Sequence, residues 1–276
     1  MTQIGGSIAR HAVEVPTRPG ESVVLSWGAQ TDIGRRRKLN EDSLLAEAPF
    51  FVVADGMGGH ASGDVASAAV VTRLANAGDG EFAETASILQ ALRAATMDIT
   101  LAADDSELGV GTTATGAVLV LREGEPFWAV FNIGDSRVYE FFDGELRQVT
   151  VDHSVVQELV DAGLIRPEDA EFHPDSNIIT RAVGFNAEPM ADVWMVPLRT
   201  GSRLLICSDG LTREVGDPLL REALAGGQTA EETAASLVAS ALAGGGRDNI
   251  TTIVVDVLAV PGAVEPASDA QAVPNP

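Results

Sequence analysis

Residues 113–150 read TATGAVLVLREGEPFWAVFNIGDSRVYEFFDGELRQVT. Three strand-like runs, 113–123, 126–135 and 136–150, follow one another with no helical pattern between them. Parallel neighbours need a crossover of a dozen or more residues, so strands this close run antiparallel. Asp143-Gly144 supplies the turn that folds the last run into a hairpin. The stretch predicts a meander and argues against a repeating βαβ pattern.

Working outward, further strand candidates lie at 22–29 (SVVLSWGA), 42–47 (DSLLAE), 49–55 (PFFVVAD), 191–198 (ADVWMVPL), 202–209 (SRLLICSD) and 249–258 (NITTIVVDVL). Helical spacing of small and aliphatic residues covers 62–77 and 82–103. Capping patterns at Ser154…Gln157 and Thr229…Glu232 open two more helices, at about 153–163 and 229–243. Strands in adjacent runs with helices grouped between them predict an α+β domain of antiparallel sheets covered by helices. Residues 1–20 carry no sustained period and 260–276 are rich in Pro and Ala, so both ends are expected to be disordered around one domain at 21–259.

A net charge of -22, from 40 acidic against 18 basic residues, excludes nucleic acid held by general electrostatics. No apolar run approaches the roughly 18 residues a membrane span needs, and the opening MTQIGGSIAR lacks a signal-peptide pattern. The expectation is a soluble, cytoplasmic monomer with no membrane partner. The single cysteine, Cys207, forms no internal disulfide.

The predicted strands carry acids at their edges: Asn40-Glu41-Asp42, Asp55-Gly56-Met57-Gly58-Gly59-His60, Gly134-Asp135-Ser136-Arg137, Ser208-Asp209-Gly210 and Arg247-Asp248-Asn249. Any one Asp-Gly is most simply a turn, and Asp135 has the simple alternative of a turn tied to Arg137. The set says more, because carboxylates carried on apolar runs such as VVAD (52–55) and LICSD (205–209) repel one another unless a cation neutralises them. Oxygen ligands without a His or Cys set point to Mg²⁺ or Mn²⁺. Two such ions about 3.5–4 Å apart can share a hydroxide and aim it at phosphorus. A rival chemistry lies in ICSDGLTR (206–213), where Cys207 and Arg213 have the spacing of a thiolate phosphatase. Asp209 inside the would-be phosphate loop opposes it, and Cys207 reads better as a core residue.

The ordered set Gly34–Asp42, Asp55-Gly56-Met57-Gly58-Gly59-His60, Gly111-Thr112-Thr113, Gly134–Arg137, Ser208–Gly210 and Asp248-Asn249 closely resembles bacterial metal-dependent Ser/Thr protein phosphatases of type 2C, over about residues 22–258. The resemblance implies an α/β/β/α four-layer sandwich with two central antiparallel sheets between pairs of helices. It implies phosphoserine and phosphothreonine hydrolysis in proteins by a two-metal-activated water, without a covalent intermediate and opposing a Ser/Thr kinase.

By that resemblance Asp55 bridges two Mn²⁺ or Mg²⁺ ions, the Gly56 carbonyl joins one, Asp209 and Asp248 hold the other, and Glu41 and Asp42 hold metal-bound waters. Arg37 would bind the substrate phosphate and His60 would be the general acid. A third, weaker ion would draw on Asp135 with Asp209. Here the chain departs from the family: many members carry another Asp four residues after Asp209, and Arg213 stands there instead, a cation that disfavours an extra ion. The segment Val151–Val183 corresponds to the family's flap beside the active site. Two alternatives stay open: a pseudophosphatase that binds phosphoproteins without turnover, and hydrolysis of small phosphoesters.

Overall fold

The computed structural model describes residues 1–58, 62–78, 80–102, 110–185 and 188–262. Two six-stranded sheets face each other. The first runs in the order β1 (Gln3–Gly5), β4 (Ser43–Glu47), β5 (Phe50–Ala54), β8 (Ala114–Arg122), β9 (Glu125–Ile133), β12 (Asp192–Pro197). The second runs β11 (Glu145–Gln148), β10 (Arg137–Phe142), β13 (Arg203–Cys207), β14 (Ile250–Ala259), β3 (Ser22–Asp32), β2 (Ile8–Glu14). Every pairing within them is antiparallel except β1 with β4. Short strands β6 (Gly56–Met57) and β7 (Gly111–Thr112) form a small ladder beside them.

The apolar runs are continuous because the central strands are covered on both faces. In β5, Phe51 and Val53 point into the core between the sheets, while Phe50, Val52 and Ala54 point outward under α1 (Gly63–Ala75) and α2 (Thr85–Ala102). In β13, Leu204 and Ile206 face the inter-sheet core, and Leu205 and Cys207 face α5 (Asp217–Ala225) and α6 (Ala230–Gly244). The period of two thus sends alternate side chains into different cores, and the layering is α/β/β/α as the resemblance implied. Each large side chain so covered contributes on the order of 1.5–3 kcal/mol. Trp27, Phe51 and Trp128 link in edge-to-face contacts through the middle core.

Thr229 caps α6 with the full reciprocal box to Glu232. At α3 (Val155–Asp161) Ser154 accepts from the Gln157 backbone N–H, but the Gln157 side chain donates to Asp161, so only half of the box forms.

The expected meander is divided between the sheets. β8 and β9 pair in the first, whereas β10 and β11 belong to the second, with Gly134-Asp135-Ser136 as the crossing. The expected disorder of residues 1–20 is corrected by β1 and β2. The Thr2 N–H donates to Ser43, and the Trp27 indole donates to Gly6 O at 2.7 Å, fixing this segment to both sheets. The tail expectation for 260–276 falls mostly on residues 263–276, outside the described ones. Among the described residues no helix is long and apolar enough to cross a membrane.

Candidate metal centre

The acids gather where the two sheets open at one end. Asp55 follows β5, Asp209 begins the short helix α4 (Asp209–Thr212) after β13, Asp248 precedes β14, Asp42 precedes β4, and Asp135 lies in the crossing between sheets. Strands locked on both faces hold their ends fixed, so the pleat that buries Cys207 also delivers Asp209. Two glycines let the backbones meet. A Cβ on Gly56 would lie 2.1 Å from Gly63 O, and one on Gly210 would lie 1.9 Å from Asn249 O. Gly56 therefore presents its carbonyl in a space no side chain fits.

Asp42 is fully buried; its Oδ2 accepts from Ser208 Oγ at 2.9 Å and Thr251 Oγ1 at 2.6 Å. Asp55 and Asp209 act on each other electrostatically. Burial, then the charges of Asp42, Asp209, Asp135 and Asp248, pushes the Asp55 carboxyl well above the usual carboxylate range. Asp42 is pushed up to about 7 by burial, against the hydrogen bonds from Thr251 and Ser208. Asp135 is also pushed up to about 7, by burial and by the charges of Asp209 and Asp152. Burial raises Asp209 too, partly offset by Arg213. This is the signature of negative charge gathered in excess of its counter-charge.

Arg37 donates from Nη2 to Asp248 Oδ2 at 2.6 Å, and of the Arg35–Lys38 run it is the side chain placed among the acids. Arg213 pairs with Asp209, and its guanidinium also lies 3.7 Å from Asp135 and 4.0 Å from Asp248. Glu41 sits at the margin, raised by burial and opposed by Arg37. Arg137 does not hold Asp135; it forms a fork on Asp152 and donates to the Tyr139 hydroxyl. His60 lies outside the described residues.

A divalent ion is tested by the donors present. All are oxygens, and the Oδ1 atoms of Asp42 and Asp209 are buried without a hydrogen-bond partner. A buried carboxylate oxygen with no donor is costly, and a hard cation removes that cost. The donor set fits. No three acidic, His or Cys side chains among the described residues close on one point as a finished shell; the arginine pairs divide the acids instead. The thiolate alternative fails on placement: Cys207 is fully buried and desolvation pushes its thiol up to about 12.

A cleft of about 700 Å³ opens beside the acids, bounded by Asp209, Arg213 and Asp248 on one side and by Ser154, Pro167 and Phe172 on the other. The latter three belong to the predicted flap, which contains α3 and a 3₁₀ turn at Pro167–Phe172. Two residues to which the sequence assigned no role organise the centre. Asn249 accepts from the Glu41 N–H and donates to Ile33 O and Leu39 O, each at 2.9 Å, binding the Arg37 loop to the start of β14. His153 accepts the Gly134 N–H at Nδ1 and meets Asp192 at Nε2, fixing the crossing that carries Asp135. Asn249 stands in the Asp248-Asn249 motif, whereas His153 was marked only by its place next to Asp152.

Two facing, mainly antiparallel sheets with an oxygen-rich acidic centre at their open end define an α/β/β/α sandwich whose site suits a hard divalent ion. Residues 34–244 match the family model described as Protein phosphatase 2C, and the chain belongs to that family. It is 43% identical over 243 residues to the serine/threonine protein phosphatase PstP of Mycobacterium tuberculosis, covering 86% of this chain and 46% of that protein. The chain thus spans about half the length of that relative. A crystal structure of the Mycobacterium tuberculosis PstP/Ppp superposes with a TM-score of 0.77 at 39% identity, over 84% of this chain and 98% of that one. The serine/threonine phosphatase stp of Listeria monocytogenes is 38% identical over 245 residues, 82% of this chain and 94% of that protein. The catalytic domain of a PstP, solved in complex with two manganese ions, matches with a TM-score of 0.74 at 38% identity over 85% and 99% of the two chains.

Proposed function

We propose that this chain hydrolyses phosphoserine and phosphothreonine in proteins, with two Mn²⁺ or Mg²⁺ ions held by Asp55, the Gly56 carbonyl, Asp209 and Asp248. The observation that carries the reading is the buried Asp209 Oδ1, left without a donor amid Asp42, Asp55, Asp135 and Asp248. The manganese-bound PstP domain supports the choice of ion. When bound, such ions lower the pKa of water and offset charge on phosphoryl oxygens.

The protein's own part is positioning. Arg37, tethered by Asp248 at the cleft, offers a planar fork to two phosphate oxygens. Asp42 and Glu41 accept hydrogen bonds from water and orient it, Asp42 being fixed by Ser208 and Thr251. His60 is the proposed proton donor to the departing hydroxyl. Phe172 and Pro167 face the same cleft and give a phosphopeptide an apolar surface to lie against. The physiological counterpart is a Ser/Thr kinase whose products this site would clear.

The test is release of phosphate from a phosphothreonine peptide with Mn²⁺, with EDTA, and by Asp209→Asn. Turnover that depends on Mn²⁺ and falls at least about a hundredfold in the variant is expected. Activity surviving both treatments would refute the metal centre. A folded chain that binds phosphopeptide with Mn²⁺ but never turns it over would instead be a pseudophosphatase.

A further inference from the structure

Among the described residues, Arg213 is the cation that lies within 4.0 Å of three acids of the centre. α4 carries Asp209 at its first residue and Arg213 as its C-cap, four positions later, so both project from the same side of the helix. The Arg213 N–H donates to Asp209 O at 2.9 Å, and the Arg247 guanidinium donates to Arg213 O at 3.1 Å, fixing the backbone from which the side chain starts. From there the guanidinium pairs with Asp209 and lies 3.7 Å from Asp135 and 4.0 Å from Asp248. Arg37, the other arginine in the centre, pairs with Asp248 alone. Among the described residues Asp135 has no other ion pair, Arg137 being committed to Asp152. Asp209 Oδ1 remains buried and unpartnered even with Arg213 in place. The centre therefore has two unequal edges. One, between Asp55, Asp209 and Asp248, has Arg37 on Asp248 but, among the described residues, leaves Asp55 without an ion pair and Asp209 Oδ1 without a partner; the other, between Asp135 and Asp209, has Arg213 set against both of its carboxylates.

We propose that Arg213 is a tethered cation standing in for a third divalent ion, closing the Asp135–Asp209 edge to metal and leaving the centre with two ions. The assignment rests on the metal-centre reading above and adds to it a reason for the count. A guanidinium costs no binding entropy to recruit and cannot be stripped by a chelator. It also cannot coordinate as an ion does, so this edge neutralises charge without contributing a ligand position. Arg213 in contact with the acids lessens their mutual repulsion.

The experiment counts Mn²⁺ bound per chain by electron paramagnetic resonance of the free ion, independently of turnover. Wild type, Arg213→Ala, Arg213→Lys and the double variant Arg213→Ala with Asp135→Asn are compared, and thermal unfolding in EDTA confirms that each folds. Two ions are expected in wild type and in Arg213→Lys, three in Arg213→Ala, and two again in the double variant. In EDTA, Arg213→Ala should unfold at lower temperature than wild type, and saturating Mn²⁺ should close that gap. Equal counts in wild type and Arg213→Ala, or three ions in wild type, would overturn the assignment while leaving the two-ion reading intact. A wild type that binds no Mn²⁺ would overturn both.

Discussion

Asn249→Ala is the substitution whose cost follows most directly from the geometry. The side chain is 4% exposed and makes three hydrogen bonds, all at 2.9 Å: from Glu41 N–H to its Oδ1, and from its Nδ2 to Ile33 O and Leu39 O. Its backbone N–H bonds to Asp248 Oδ1 and is unaffected by the change. A buried hydrogen bond contributes a net ~0.5–1.5 kcal/mol, so the loss is about 2–4 kcal/mol, the upper part applying if water cannot reach the stranded groups. For a domain of this size each kcal/mol lowers Tm by roughly 2–4 °C, giving a fall of about 4–16 °C. Asn249→Asp sharpens the test. It keeps the acceptor for Glu41 but turns carboxylate oxygen toward two carbonyls and adds charge to a crowded centre, so it should be at least as damaging as alanine. Both are measured by thermal unfolding in EDTA, where no ion can mask the change by mass action. A shift under about 2 °C for both variants would refute the claim that Asn249 ties the 33–41 segment to β14.

Two further outcomes follow from the same structure. Cys207→Ser places a hydroxyl in a fully buried site, packed with Leu205 and Val254 and facing Arg137 and Thr252 on the neighbouring strands, so stability should fall by about 1–3 kcal/mol while phosphatase turnover per folded chain is unchanged; loss of turnover in a folded variant would restore the thiolate. The metal-free protein should also lose stability as pH rises from about 5 to 7. Asp42 and Asp135, raised from 3.8 to about 7, bind more protons folded than unfolded in that window, and their contribution is lost as pH climbs through it. The carboxylates lowered by partners, Asp98, Asp192 and Glu214, act in the opposite sense only at more acid pH. Denaturant midpoints at several pH values in EDTA and in Mn²⁺ check this. A metal-free midpoint that climbs toward pH 7, or a fall that Mn²⁺ leaves untouched, contradicts the excess of negative charge.

What was legible in the sequence divides along a physical line. FFVVA and RLLIC could be read as strands, and their terminal acids as a set, because both faces of each strand are buried and composition alone records that. The meander at 113–150 was legible as strands but not as two sheets, since the crossing at Gly134-Asp135-Ser136 depends on which neighbour each strand finds: β12 for β9 and β13 for β10. Strand β2, with the pattern IARHAVE, buries only Val13 and sits at a sheet edge, so it offers a weak period. Helix α4 is four residues long and announces itself by no propensity signal, yet it sets Arg213 against Asp209. Acids at the ends of buried strands are placed by the cores behind them. The arginines that meet them start from loops and helix ends, so their partners are decided only when distant segments come together. Arg37 reaches Asp248 because Asn249 draws residues 33–41 onto β14, and neither of those contacts has a local sequence signal. A centre of this kind therefore has acids that sequence can nominate and a charge balance that only the folded chain reveals.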